Sequence, residues 1–298
     1  MVDGTETSGL LVRVQGLLPE LSEALLRIAT EVLKDPGRVA RSTIVELADA
    51  SGTSPSTVNR FCRVVGIDGY AELRLGIAAE IGRAAVAGRP DVGTEIEVGD
   101  DLGHIARVIS AADAWTIQET LRQLDLAEVG HVVDALAGAR RIDIYGAGSS
   151  AVMASELQQR LHRIGLTSWF WSEVHAGLAS ASLLGERDVG FALSHSGRTR
   201  ETIDMLTEAG ARGATTVAVT NFPRSPLADV ADVVLTTAVR ETTFRPGTLA
   251  AQHSQLLVLD LVYVGVAQRT RRRAAQAFAV TAQAVVGHRA ATARRYRT

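Results

Sequence analysis

From position 19 to 88, apolar residues recur at helical spacing almost without a break. Residues 19–35 put Leu21, Leu25, Ile28, Ala29 and Val32 on one face, which predicts a helix ending at the breaker cluster Asp35-Pro36-Gly37. Ile44, Leu47 and Ala48 mark a second helix over roughly 42–50, followed by a tight turn, Ser51-Gly52-Thr53. A third helix starts at the N-cap Ser54 with Pro55 in its first turn, where a missing N–H costs nothing, and runs to Val65 before Gly66. One more helix covers 70–83. The periodicity fades over 84–103, which is rich in Gly, Pro and acidic residues, and two helices are expected before 140. From there strands alternate with helices. Residues 141–146, 167–171, 187–194, 215–220 and 231–237 read as strands, separated by helices over 150–164, 173–184 and 199–212 and by a turn after 220. A long helix follows over about 249–268. Buried apolar strands alternating with helices predict a parallel sheet covered on both faces, hence an α/β fold behind an all-α head.

Composition changes this picture little. The chain has 298 residues, room for two domains, and a formal net charge of −2, so any nucleic-acid contact has to come from a local surface. Aromatic residues are 4% of the chain, leaving Ala, Val and Leu to fill the core. Cys62 is the only cysteine, which excludes an internal disulfide and a Cys-rich zinc site, and the seven histidines lack metal-ligand spacing. No metal or cofactor is expected. The opening MVDGTETSGL lacks a basic segment followed by an apolar one, and the apolar stretch 256–267 carries Asp260 and is short for a bilayer. These features predict a cytoplasmic chain without a membrane partner.

Residues 44–65 have the helix–turn–helix spacing, with Gly52 able to take positive φ in the turn. Val58 and Phe61 point to the core at i and i+3. Ser54, Ser56, Thr57, Asn59, Arg60 and Arg63 are left for the outer face, where hydroxyls and the amide can meet base edges and arginines can meet phosphate or guanine. The bland alternative is an ordinary α-hairpin in a bundle. A hydroxyl-rich face with two arginines on one short helix favours double-stranded DNA as the partner. Cys62 reads as a small buried hydrophobe.

Two Gly/Ser loops each follow a strand and open a helix: Gly146-Ala147-Gly148-Ser149-Ser150 and Ser194-His195-Ser196-Gly197-Arg198-Thr199. Glycines, free amides and hydroxyls at a helix N-terminus suit a phosphate. In a parallel sheet both loops fall at the carboxyl ends of strands, where ligands sit. A dinucleotide fingerprint fits poorly: Ala151 at the third glycine position is sometimes allowed, but the strand TSWFW does not end on an acidic residue and the hydroxyl-rich second loop is no part of that fingerprint. A serine before a helix is usually a cap, yet Ser149, Ser150, Ser194, Ser196 and Thr199 are more hydroxyls than capping needs.

Together these motifs resemble a known family. The stretch ELADASGTSPSTVNRFCRVVGIDGYAEL resembles the head of the RpiR family of transcription regulators, and the two loops with SPLADVADVVL (225–235) resemble its sugar isomerase (SIS) domain. The resemblance covers roughly residues 20–270. It implies a winged-helix-like or homeodomain-like head over 1–87, a linker over 88–103, and over 104–298 a three-layer α/β/α SIS domain with an Arg-rich C-terminal helix. It also implies a homo-oligomer, dimer or tetramer, reading a DNA operator under the control of a phosphosugar effector. Gly148, Ser149, Ser150, Ser194, Ser196, Gly197 and Thr199 would hold the phosphate, with His195 between two of them, and Glu241 would approach the sugar. Many relatives carry a Ser-Arg pair early in the last helix; Ala251-Gln252, then His253, stand there in this chain.

SIS domains also occur in aldose–ketose isomerases, which need a positioned base. Glu241, His195, His175 and His253 are the candidates for a sugar-phosphate isomerase with a helical appendage. A Schiff-base route through the SIS domain is excluded, because Lys34 in the head is the only lysine. The expectation is a regulator without catalytic residues.

Overall fold

A computed structural model of the chain describes residues 10–18, 21–86 and 96–286. The head is built from α1 (Leu10–Leu17), α2 (Glu23–Lys34), α3 (Pro36–Arg41), α4 (Ile44–Ala50), α5 (Pro55–Val64) and α6 (Tyr70–Val86). Its described residues are helices and their connections, with no strand among them. In α2 the residues at i, i+3, i+4 and i+7 (Leu25, Ile28, Ala29 and Val32) are buried and meet Val39, Leu47, Val58, Phe61 and Cys62 in a single core.

Two features differ from the sequence expectation. The helix α1 lies ahead of the predicted span and buries Leu10, Val14 and Leu17 in the same core. The cluster Asp35-Pro36-Gly37 ends α2 and also starts α3, because the Asp35 side chain accepts the Arg38 N–H at 2.8 Å and Pro36 sits in the first turn.

The linker expected over 88–103 falls outside the described residues up to 95, and its described end leads into α7. In the body α7 (Leu102–Gln123) and α8 (Leu126–Gly138) precede β1 (Arg141–Tyr145). Then come α9 (Ser150–Arg163), β2 (Ser168–Trp171), α10 (Val174–Ala181), β3 (Asp188–Leu193), α11 (Arg200–Ala211) and β4 (Thr215–Thr220). A short helix α12 (Pro226–Asp229) occupies the expected turn, followed by β5 (Val233–Thr236), α13 (Thr248–Arg269) and α14 (Arg271–Ala284). Residues 287–298 of the Arg-rich tail lie outside the described residues.

The five strands form one parallel sheet in the order β2-β1-β3-β4-β5. Alternation along each strand sends Ile142, Ile144, Val189, Phe191, Leu193, Val217 and Val219 to the face covered by α8, α9 and α13. Tyr145, Ala192 and Ala218 go to the face covered by α10 and α11. Asp143 is wholly buried on β1 and is satisfied by Arg141, Trp171 Nε1 and Ser180. By length and composition α13 could cross a membrane, which corrects the expectation that no apolar stretch here is long enough. In this fold it is instead the central core helix, with Val258, Leu259, Val262 and Val266 buried against α8 and the sheet.

Candidate functional site

Of the residues expected to face DNA, Ser56, Asn59, Arg60 and Arg63 are exposed on α5, Thr57 on the same helix is half-buried, and Ser54 stands just before it. Thr43 caps α4 through a reciprocal pair with Glu46, whose carboxyl is held below its usual pKa chiefly by the Thr43 backbone N–H. That cap, with the turn at Ser51–Thr53, fixes where α5 starts. Ser54 accepts the Thr57 N–H as the N-cap, and its hydroxyl also bonds those of Ser56 at 2.8 Å and Thr57 at 2.9 Å. Val58, Phe61 and Cys62 are buried, while Asn59, Arg60 and Arg63 stand exposed. Ser56, Thr57, Asn59, Arg60 and Arg63 line one shallow depression. Burial pushes the Cys62 thiol up to about 11, which suits an unreactive core residue.

The second site lies at the carboxyl ends of β1 and β3, which pair in register from Arg141↔Asp188 to Tyr145↔Ala192. The chain leaves β1 through α9 towards β2 on one side, and leaves β3 through α11 towards β4 on the other. The crevice between the two exits is therefore the switch point of the sheet. The Gly146–Ser150 loop turns at Gly148, φ +56°, and places Ser149 at the head of α9 with no side-chain capping bond. Thr199 stands in the same way before α11, its hydroxyl 3.1 Å from that of Ser194 and not on the helix. Both N-cap hydroxyls are thus free of the capping duty that would explain them blandly, beside helix amides that lack intrahelical acceptors.

The second loop is held from below. The His195 carbonyl accepts the Asn221 N–H at 3.0 Å and the Thr220 hydroxyl at 3.1 Å, and the Gly197 carbonyl accepts the Leu227 N–H at 3.0 Å. Gly197 has φ +63°, and a Cβ there would lie 2.0 Å from Ser225 Oγ. Only glycine fits this position. Ser194 and His195 are buried, and burial lowers the His195 pKa to about 4, so its ring is neutral at neutral pH. His195 Nδ1, Asn221 Oδ1, Ser225 Oγ and Thr237 Oγ1 are buried without a partner, a concentration of unanswered polar atoms around one loop. Asn221 and Ser225 were not singled out as site residues from the sequence; the SPLADVADVVL stretch was the signal that marked Ser225.

Other expected residues are placed less centrally. Glu241 is exposed on the segment before α13, and among the described residues no hydrogen bond or ion pair ties it to either loop. His175 is exposed in the first turn of α10, and His253 faces Asp113 at 3.5 Å. Ala251 is wholly buried.

Head and body together define a class: a helix-turn-helix unit followed by an α/β domain with two hydroxyl-rich loops at the carboxyl ends of adjacent parallel strands. The family model for the helix-turn-helix domain of the rpiR family matches residues 8–84, and that for the SIS domain matches 135–265. An uncharacterized HTH-type transcriptional regulator of Caldanaerobacter subterraneus subsp. tengcongensis is 34% identical over 82% of this chain and 85% of its own length. Another, from Haemophilus influenzae, is 33% identical over 91% of this chain and 94% of its own. The structure of the Vibrio vulnificus NanR protein complexed with ManNAc-6P is 27% identical, covers 95% of this chain and all of that one, and superposes with a TM-score of 0.59. The chain belongs to the RpiR family of transcriptional regulators.

Proposed function

We propose that DNA binding by this chain is set by a phosphorylated sugar bound between the β1 and β3 loops. The observation that carries the reading is the pair of N-cap hydroxyls, Ser149 and Thr199, left unbonded to their helices on adjacent strand ends. Gly148, Ser149, Ser150, Ser194, Ser196, Gly197 and Thr199 would surround the phosphate. The neutral His195 would offer a hydrogen bond in place of a charge, and Glu241 would reach the sugar. The NanR complex with ManNAc-6P supports a sugar phosphate as the ligand class. Two or more copies of the chain, acting in the cytoplasm, would present paired heads to a two-fold operator, with Ser54, Ser56, Thr57, Asn59, Arg60 and Arg63 at the DNA. The relatives named as regulators favour sensing over turnover.

A ligand shifts such a system only through different affinity for its two arrangements. The geometry supports a route for that difference. Gly247, the N-cap of α13, lies against His195, since a Cβ on it would be 3.8 Å from the imidazole Cδ2. Four residues earlier, Thr243 Oγ1 accepts the N–H of Ile96 at 3.0 Å, where the described chain resumes after the head. Arg245 in the same turn pairs with Asp113 of α7 at 3.0 Å.

The test is a gel shift of the chain's own upstream DNA with hexose, hexosamine and pentose phosphates, beside a turnover assay. Replacing Ser194 and Ser196 by Ala is expected to weaken the effector roughly tenfold or more and to spare DNA binding. Thr243→Val is expected to keep effector affinity and reduce its influence on DNA. An unchanged response in the double serine variant, or turnover that depends on Glu241, would replace this reading with the isomerase one.

A further inference from the structure

Arg27 belongs to α2 and faces no base in the expected docking mode, yet two nitrogens of its half-exposed guanidinium donate to the turn that launches α5. Its Nε donates to the Ser51 carbonyl at 3.1 Å and its Nη2 to the Gly52 carbonyl at 3.3 Å, while Nη1 donates to Glu23 at 3.2 Å. The other groups of the turn are answered locally: the Thr53 N–H by the Ala48 carbonyl at 2.8 Å, the Gly52 N–H by Asp49 at 3.1 Å, and the Ser51 hydroxyl by Leu47 at 2.8 Å. The carbonyls of Ser51 and Gly52 point instead to Arg27.

Two donors on one edge of a rigid planar fork set direction as well as distance, which an ammonium cannot do. The charge also sits at the C-terminal, negative end of α4. The fork therefore joins α2 to the corner between α4 and α5. Below it, Leu25 and Ile28 of α2 share a core with Val58 and Phe61 of α5. At the corner Gly52 has φ +59° and nothing within 4 Å of its Cβ position, so side-chain packing there adds nothing to the hydrogen bonds that hold it.

We propose that Arg27 is a positioning residue for DNA reading: it holds the corner so that Ser56, Thr57, Asn59, Arg60 and Arg63 meet the groove in one orientation, and touches no DNA itself. The experiment measures the full-length chain, wild type and with Arg27→Ala or Arg27→Lys. Each is titrated onto a duplex selected by the wild type from a random library and onto a scrambled duplex, across a salt series. Both variants are expected to lose roughly tenfold on the selected duplex, equivalent to one charge-assisted hydrogen bond, and nothing on the scrambled one. The slope of log affinity against log salt is expected to stay that of the wild type. Amide exchange at Gly52 and Thr53 is expected to quicken in both. If Arg27→Lys binds like the wild type, or if the slope falls by the ~0.9 of one phosphate contact, Arg27 touches the backbone and the proposal fails. Wild-type affinity in both variants overturns it as well. Should Arg27→Ala not fold, Arg27→Lys keeps the charge and the aliphatic stem and decides the question alone.

Discussion

Two glycines with almost the same backbone show how differently the head and the body of this protein are built. Gly52, between α4 and α5, has φ +59° and open space where a side chain would go; Gly197, in the second loop of the body, has φ +63° and Ser225 Oγ 2.0 Å from that position. In the head the proposed contacts are side chains, most of them exposed, on and just before one short helix, and the backbone behind them has to turn and be held. In the body the proposed phosphate contacts are short hydroxyls and amides. Their positions depend on how tightly the loop packs on the next strand connection. The head's corner leaves room for a side chain and is held by the Arg27 fork, whereas the body's loop is held by close packing and leaves no such room.

The largest expected effect is at the tight glycine. Gly197→Ala adds a left-handed alanine, roughly 1–2 kcal/mol, to a clash of roughly 1–3 kcal/mol with Ser225. Trp115, Trp169 and Trp171 are the chain's three tryptophans and all lie in the body, so a urea titration followed by tryptophan fluorescence reads that loss. Effector binding should vanish, whereas the affinity of the head for DNA should persist. An unmoved tryptophan transition would mean that the loop yields, and the contrast between the two regions would collapse. Next in size is the pair Arg60→Ala and Arg63→Ala. Together they should weaken operator binding roughly tenfold to a hundredfold near 50 mM salt and lower the salt slope by ~0.9 for each phosphate contact removed, as read by fluorescence anisotropy. The body's response to ligand should be untouched. Gly52→Ala should cost about 1 kcal/mol, the conformational penalty without a clash, seen in the far-ultraviolet dichroism of the helical head but not in tryptophan fluorescence.

The same contrast explains what could be read from the sequence. The starting turn of α5 was legible because Ser54 and Pro55 act locally, and β1, β3 and β4 because short, largely apolar segments alternate with helical ones. The hydroxyl-rich composition of the two loops is local too, and the strand–helix alternation places both at the carboxyl ends of strands. The helix α1 was not legible, since eight residues hold a helix only when Leu10, Val14 and Leu17 find a core supplied by α2 and α6. Asp35-Pro36 misled because one aspartate both ends α2 and caps α3. The partnership of Ser225 with Gly197 joins residues far apart in the chain, and no local pattern encodes it. Glu241 could be matched by motif, but its place relative to the loops depends on the turn at Thr242–Arg245, which period and propensity do not specify.

A further expected effect separates the regions by pH. His195 is 8% exposed, and burial alone depresses its pKa from about 6.5 to about 4. A histidine whose pKa falls on folding takes up its proton more readily in the unfolded chain. Its share of stability is therefore complete above about pH 6.5 and is lost progressively as the pH falls towards 4. By pH 5.5 the loss amounts to about 1.4 kcal/mol by this linkage. Tryptophan-detected urea midpoints, taken between pH 7.5 and 5, should drop for the wild type and drop less for His195→Gln, which keeps a hydrogen-bonding side chain without the titration. The described residues of the head, 10–18 and 21–86, contain no histidine at all, so its dichroism-detected midpoint should be flat in the same window. Equal pH dependence in wild type and His195→Gln would show that the imidazole reaches solvent in the unliganded loop. The phosphate crevice would then be more open than the enclosed corner around Gly197 allows.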